Sequence, residues 1–160
     1  MNSRIVALKE KLIAAREALN QALDGVGDRW DTQIYSDGAQ WTARELLIHL
    51  MVAHTGQVGV MQRILAGEEG VPENFDLERY NRSSVQKRIE TTPEEARAVL
   101  NQSHEDLLAW LDTLTDEQLD IKGRHASGQV LSIEQFLRFG FAKHERDHAA
   151  DIARTLGIEA

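Results

Sequence analysis

Trp41-Thr42-Ala43-Arg44-Glu45-Leu46-Leu47-Ile48-His49-Leu50 reads as the opening of a long helix. Thr42 is an N-cap whose hydroxyl takes an otherwise unpaired backbone N–H. Glu45, three residues on, returns a bond to the Thr42 amide, completing a capping box. Trp41 and Leu46 flank the box as a hydrophobic staple. The helix should run to about Ala66, with Gly67 ending it.

The same start signal recurs further along the chain. Thr92-Pro93-Glu94-Glu95 places a cap, a proline at the first helical position and the returning glutamate in order, and Ala96, Leu100, Leu107 and Leu111 mark an inner face to about Thr113. Leu131-Ser132-Ile133-Glu134-Gln135-Phe136 repeats the box with a staple, and that helix should reach Leu156 before Gly157. Ahead of all three, Ser3 to about Asp24 carries Ile5, Leu8, Leu12, Ala15, Leu19 and Ala22 at three- and four-residue steps, with Gly25 and Gly27 as stops. Thr115 to Leu119 reads as a short turn, and no stretch alternates as a strand does. These signals predict an all-α four-helix bundle, as a single domain over residues 1–160. The link from Glu68 to Thr91 is long for a bundle, so it must cross the molecule or carry a short helix, with Leu77 to Ile89 the candidate.

Composition narrows the function. Of the 160 residues, 42% are apolar and 28% charged, which suits a water-exposed fold with a packed core. No apolar run approaches the roughly 18 residues a membrane helix needs, and the charged start MNSRIVALKEK is no signal peptide, so a cytoplasmic protein is expected. The net charge of −8, with scattered Lys and Arg, disfavours nucleic acid as a partner. Without cysteine there is no disulfide, thiolate metal site or cysteine nucleophile, so any metal must be held by histidine, carboxylate or water.

Six histidines stand at 49, 54, 104, 125, 144 and 148. His144 and His148, four apart, share one helix face with Ile133, Leu137, Phe141 or Gly140, and Ile152, where apolar residues are expected. His49 falls in the stripe Leu46, His49, Ala53, Gly56, Val60. Inward imidazoles need partners. One divalent ion would take a lone pair from each, as zinc does at about 2.0–2.1 Å, with three protein ligands leaving a position open. Asp147, Asp151 and Glu45 are candidates to bond the outer ring nitrogens. The competing reading is three core histidines hydrogen-bonded to neighbours. His54 should point away from the His49 face, partly buried or at the surface; His104 flanks its helix stripe, a position from which it could approach the site; His125, in the loop from Gly123 to Gly128, suits a solvated or dimer-contact role.

His144-Glu145-Arg146-Asp147-His148 is a literal H-E-x-x-H, in which Glu145 would be the general base of a metalloprotease. Its context is wrong for a peptidase: the chain continues Ala149-Ala150-Asp151-Ile152 rather than towards a third downstream ligand, and no strand precedes it to hold a peptide. Glu145 is either a base for hydrolysis or an exposed acid on a solvated face.

The segment from Trp41 to Leu50, the paired histidines His144 and His148, and Phe75-Asp76-Leu77-Glu78-Arg79-Tyr80-Asn81-Arg82 together resemble DinB/YfiT-like proteins over roughly Leu8 to Leu156. The resemblance implies up-down-down-up topology with a long crossover between the second and third helices, a zinc or nickel ion on His49, His144 and His148, and a homodimer. Characterised relatives include thiol-dependent S-transferases and a mycothiol-dependent maleylpyruvate isomerase, in which the metal activates a low-molecular-weight thiol. For this chain it implies a metal-dependent enzyme with a small-molecule substrate, a transferase or isomerase using a thiol co-substrate. Arg44, Arg63, Arg79 and Arg82 are candidates for an anionic substrate, and Tyr80 and Asn81 for the mouth of the site. The alternatives are a metal-dependent hydrolase with Glu145 as base, and a non-catalytic, stress-related bundle that binds a small molecule or partner.

Overall fold

The computed structural model describes residues 2–35 and 39–158. Four long helical runs form where the sequence signals predict them. The first is α1, Ser3–Asp24, capped by the Asn2 side chain, and the second is α2, Ala43–Leu65. After α3, Leu77–Lys87, comes α4, Pro93–Leu111, and then a single turn, α5, Asp116–Leu119. The last run is continuous but changes geometry: α6, Ile133–Gln135, widens into a π-helix over Phe136–Lys143 and returns to α-helix as α7, His144–Leu156. All three expected capping boxes form, at Thr42, Thr92 and Ser132, and Gly157 closes α7 in the left-handed conformation at φ 65°.

The apolar stripes meet in two clusters, and these give the direction of each helix. One cluster joins Leu19 and Leu23 at the end of α1 to Leu46 and Leu47 at the start of α2, Leu100 in α4 and Ile152 late in α7. The other joins Ile5 and Leu8 at the start of α1 to Met61 and Ile64 at the end of α2, Leu111 at the end of α4 and Phe136 early in the last run. So α1 and the last run rise while α2 and α4 descend, the up-down-down-up order. Two consecutive descending helices need a return across the molecule, and the link carrying α3 provides it.

One expectation needs correcting. A two-stranded antiparallel hairpin, β1 (Lys122–Arg124) with β2 (Val130–Ser132), precedes the last helix. Strands of three residues are too short to show alternation, and the turn is carried by Gly128 at φ 90°. The hairpin also tethers the crossover, because Val71 N–H donates to Arg124 O and Arg124 N–H to Glu69 O. No described helix is long and apolar enough to cross a membrane.

Candidate metal centre

His49 comes from the second turn of α2, and His144 and His148 from the first turns of α7. Their Nε2 atoms converge: His49 to His144 is 3.3 Å and His144 to His148 is 3.0 Å. One ring nitrogen from each lies within 4.8 Å of the other two. Trp41 stacks on the His49 ring with centroids 4.5 Å apart, so the residue just ahead of the α2 cap also steadies an imidazole.

The outer bonds decide the protons. The Tyr35 hydroxyl donates to Asp151 Oδ2 at 2.6 Å, and the Tyr35 hydroxyl oxygen lies 2.8 Å from His148 Nδ1. A hydroxyl already donating can only accept from the ring, so Nδ1 carries the His148 proton and its Nε2 faces inward as a bare lone pair. His144 Nε2 can offer at most one hydrogen, yet it faces two other nitrogens. Without a further cation one of those contacts is left without a two-centre hydrogen bond, whichever nitrogen carries the proton. An ion removes the conflict, and the spacing fits one: a tetrahedral centre with bonds of about 2.0–2.1 Å holds its ligand nitrogens about 3.3 Å apart.

Burial keeps the rings neutral, which is the ligating form. His49 is pushed down to about 3, first by burial and then by the neighbouring His148 charge. His144 lies well below the ordinary histidine value for the same reasons, with His49 adding to them. His148 is also lowered by burial, with Asp151 and Asp147 opposing. Burial, followed by the bond to Asp151, raises Tyr35, which stays a donor.

Beside the triad lies a cavity of about 340 Å³, mostly apolar, with His49 and His144 in its lining. Tyr80, Asn81 and Arg63 are also in its lining. Ala53 and Gly56 make room for it, and the Tyr80 hydroxyl stands 3.7 Å from where a Cβ on Gly56 would lie.

Other expected residues sit elsewhere. Arg44 bonds the Ile89 carbonyl and faces Asp31, so it anchors the end of the crossover, and it is not in the cavity lining. Arg79 lines a separate groove along α3, and Arg82 is exposed outside both cavities. Glu145 is neither an exposed acid nor a residue poised at the triad. It is buried on another face of α7, where both carboxylate oxygens accept from Arg16. Among the candidates for the outer shell, Asp151 reaches His148 through Tyr35, Glu45 serves the capping box, and Asp147 pairs with exposed Lys143.

The remaining histidines also depart from expectation. His54 is fully buried, packed edge-on to Phe141 and bonded through Nδ1 to Ser103 Oγ at 2.6 Å. It belongs to a second apolar stripe of α2, with Leu47, Leu50 and Met61, that faces α4. His104 is buried near it, with ring centroids 6.5 Å apart, and does not join the triad. His125 reaches out of the hairpin turn into the cavity, where it bonds Gln57. Tyr35, Gln57 and Arg16 were not singled out from the sequence. Only Arg16 left a signal there, since the spacing Leu8, Leu12, Arg16, Leu19 puts it on the buried stripe of α1.

Fold and site together define an up-down-down-up helical bundle with a three-histidine cluster suited to a divalent ion. The chain belongs to the DinB superfamily, whose family model matches residues 11–152. It is similar to YfiT from Bacillus subtilis, described as a probable metal-dependent hydrolase with an unusual four-helix bundle topology. The identity is 24%, the TM-score 0.74, and the match covers 99% of this chain and 91% of that one. It is also similar in fold to the mycothiol-dependent maleylpyruvate isomerase, at 16% identity and a TM-score of 0.68, over 91% of this chain and 60% of the other. No curated protein gives a significant match.

Proposed function

We propose that His49, His144 and His148 hold one divalent ion, zinc or nickel, and that the protein is a metal-dependent transferase or isomerase acting on a small thiol. The observation that carries this reading is the convergence of three Nε2 atoms at 3.0 and 3.3 Å with too few protons to satisfy them. When bound, an ion among three neutral ligands keeps its full charge and stabilises an anion such as a thiolate. The chain's own residues do the rest. Tyr35 and Asp151 fix the His148 tautomer, Trp41 fixes the His49 ring, and the apolar cavity wall excludes water from the reacting end of a substrate. With no cysteine in the chain, sulfur must arrive with the substrate.

Hydrolysis with Glu145 as base is the weaker reading, because Arg16 occupies both oxygens of that carboxylate. A homodimer in the cytoplasm, expressed under stress, completes the proposal on family resemblance.

The test is metal analysis of untagged protein from cells supplied with zinc and nickel. About one ion per chain is expected for the wild type, falling below about a tenth in His144→Ala with the helical content kept. Wild-type protein below about a tenth of an ion per chain defeats the proposal. In the loaded protein, transfer of 2-mercaptoethanol to a chromogenic aryl halide should disappear on chelation.

A further inference from the structure

The cavity has a second polar element besides the imidazoles, and its hydrogens can be assigned without ambiguity. Gln57 approaches the Gly140 carbonyl oxygen at 2.8 Å. A carbonyl only accepts, so the Gln57 nitrogen must face it and the Gln57 oxygen must face the other way. That oxygen lies 3.0 Å from His125 Nε2, which therefore carries the ring proton. His125 Nδ1 is then a bare acceptor, and it takes the Ser127 backbone N–H at 3.1 Å. Every bond in the chain from Ser127 to Gly140 agrees with one tautomer and one amide orientation.

The Gln57 amide is thus gripped at both ends, and one of its two N–H groups has no partner among the described residues. Gln57, His125 and Gly140 all line the cavity. Gly140 lies four residues before His144, just under one turn of the π-helix that leads into it. A donor that is already oriented, in a mostly apolar cavity, binds an acceptor without first paying to order itself.

We infer that Gln57 determines specificity in this cavity: its remaining N–H donates to a carbonyl-type oxygen of a substrate whose reacting end lies at the His49 and His144 side of the same cavity. This deepens the thiol reading and rests on it only for the end of the substrate held at the triad. The substrate class is a small, largely apolar thiol or thiol acceptor carrying a carbonyl a short spacer away from the reacting atom. His125 is a positioning residue that acts through Gln57.

The test uses two probes of matched shape, 4-mercapto-2-butanone and 3-methyl-1-butanethiol, which differ by the carbonyl oxygen. Binding is read from the visible spectrum of the cobalt-loaded protein, in the wild type and in Gln57→Met. One neutral hydrogen bond predicts that the wild type prefers the ketone about three- to ten-fold. Gln57→Met should lose that preference at unchanged cobalt content, and His125→Gln, which keeps a donor, should retain more of it than His125→Phe. Equal affinities in the wild type, or a preference that survives Gln57→Met, overturn the inference. Protein that takes up no cobalt overturns the three-histidine reading instead. The inference is then decided by NMR of the metal-free wild type. One Gln57 side-chain amide proton should be protected and its partner should shift on adding the ketone; two protons that exchange alike and do not respond overturn it.

Discussion

Arg16 and Glu145 face each other through two parallel bonds inside the bundle, Nε to Oε1 at 2.9 Å and Nη2 to Oε2 at 2.8 Å. The remaining guanidinium nitrogen donates to the Leu100 carbonyl and to Asn101, so the pair ties α1, α4 and α7 together. A bidentate pair with its spare donors satisfied is the geometry in which a buried charge is tolerated. Removing one member leaves the other uncompensated. Glu145→Leu should therefore cost about 3–5 kcal/mol in chemical denaturation, and the double replacement Arg16→Met with Glu145→Leu should cost much less. Metal content of the folded fraction should be unchanged in both. A single variant as stable as wild type that abolishes turnover would restore Glu145 as a base.

Tyr35 tests the outer bonds of the triad. Its hydroxyl bridges His148 and Asp151 by hydrogen bonds. Tyr35→Phe keeps the ring and deletes the link, so the His148 ring is freer to turn and its tautomer is no longer specified. Metal affinity should fall about 10- to 100-fold, by competition with a chromogenic chelator, with little change in melting temperature. Unaltered affinity would mean that Tyr35 only packs.

The helix starts were legible in the sequence because capping boxes are local: each needs residues three apart, and Thr42, Thr92 and Ser132 each form the box their neighbours predict. The triad was legible because His144 and His148 are one turn apart. The partners were not, because Tyr35, Gln57 and Arg16 act across 113, 83 and 129 residues of chain. The choice between Phe141 and Gly140 for the inner face had a physical source. Over Phe136–Lys143 the helix is π rather than α, so the 3.6-residue phase slips: Phe141 goes to the core and Gly140 to the cavity. Glu145 was misplaced for a related reason. One residue beyond His144 looks solvated until Arg16 is known to wait inside.

The metal-free protein should lose stability in mild acid. All six histidines are held below their ordinary value, with His54 pushed to about 3 and His104 to about 4, in each case first by burial and then by Arg16. The native state keeps these rings neutral, while the unfolded chain protonates them below about 6.5. The unfolded state then binds more protons, so stability rises with pH in this window. It should be fully present above about pH 6.5 and decline steadily as pH falls towards the depressed values. Denaturation midpoints at pH 7.5, 6.5, 5.5 and 5.0 check this, above the ordinary carboxylate values of about 3.9 and 4.3. His104→Gln should flatten the slope. A midpoint constant from pH 7.5 to 5 would show that the rings are not buried neutral.

Gly140 provides a test of the cavity that leaves Gln57 itself unaltered. A Cβ at this position would collide with the Gln57 side-chain oxygen and crowd His125 Nε2 at 3.2 Å. The colliding atom is the far end of a flexible side chain, so Gln57 can swing aside and the backbone need not move. Alanine also gains roughly 1 kcal/mol over glycine in a helix interior, which offsets the lost bonds. Gly140→Ala should therefore stay within about 1 kcal/mol of wild-type stability and keep its metal. His125 and Gln57 should nevertheless part, visible as a changed His125 ring tautomer by NMR, because Nε2 loses the acceptor that holds its proton. Larger residues would reach further into the cavity and should also exclude ligand. A destabilisation of several kcal/mol instead would mean that the close approach of α2 to the π-helix, rather than the Gln57 side chain, is what requires glycine here.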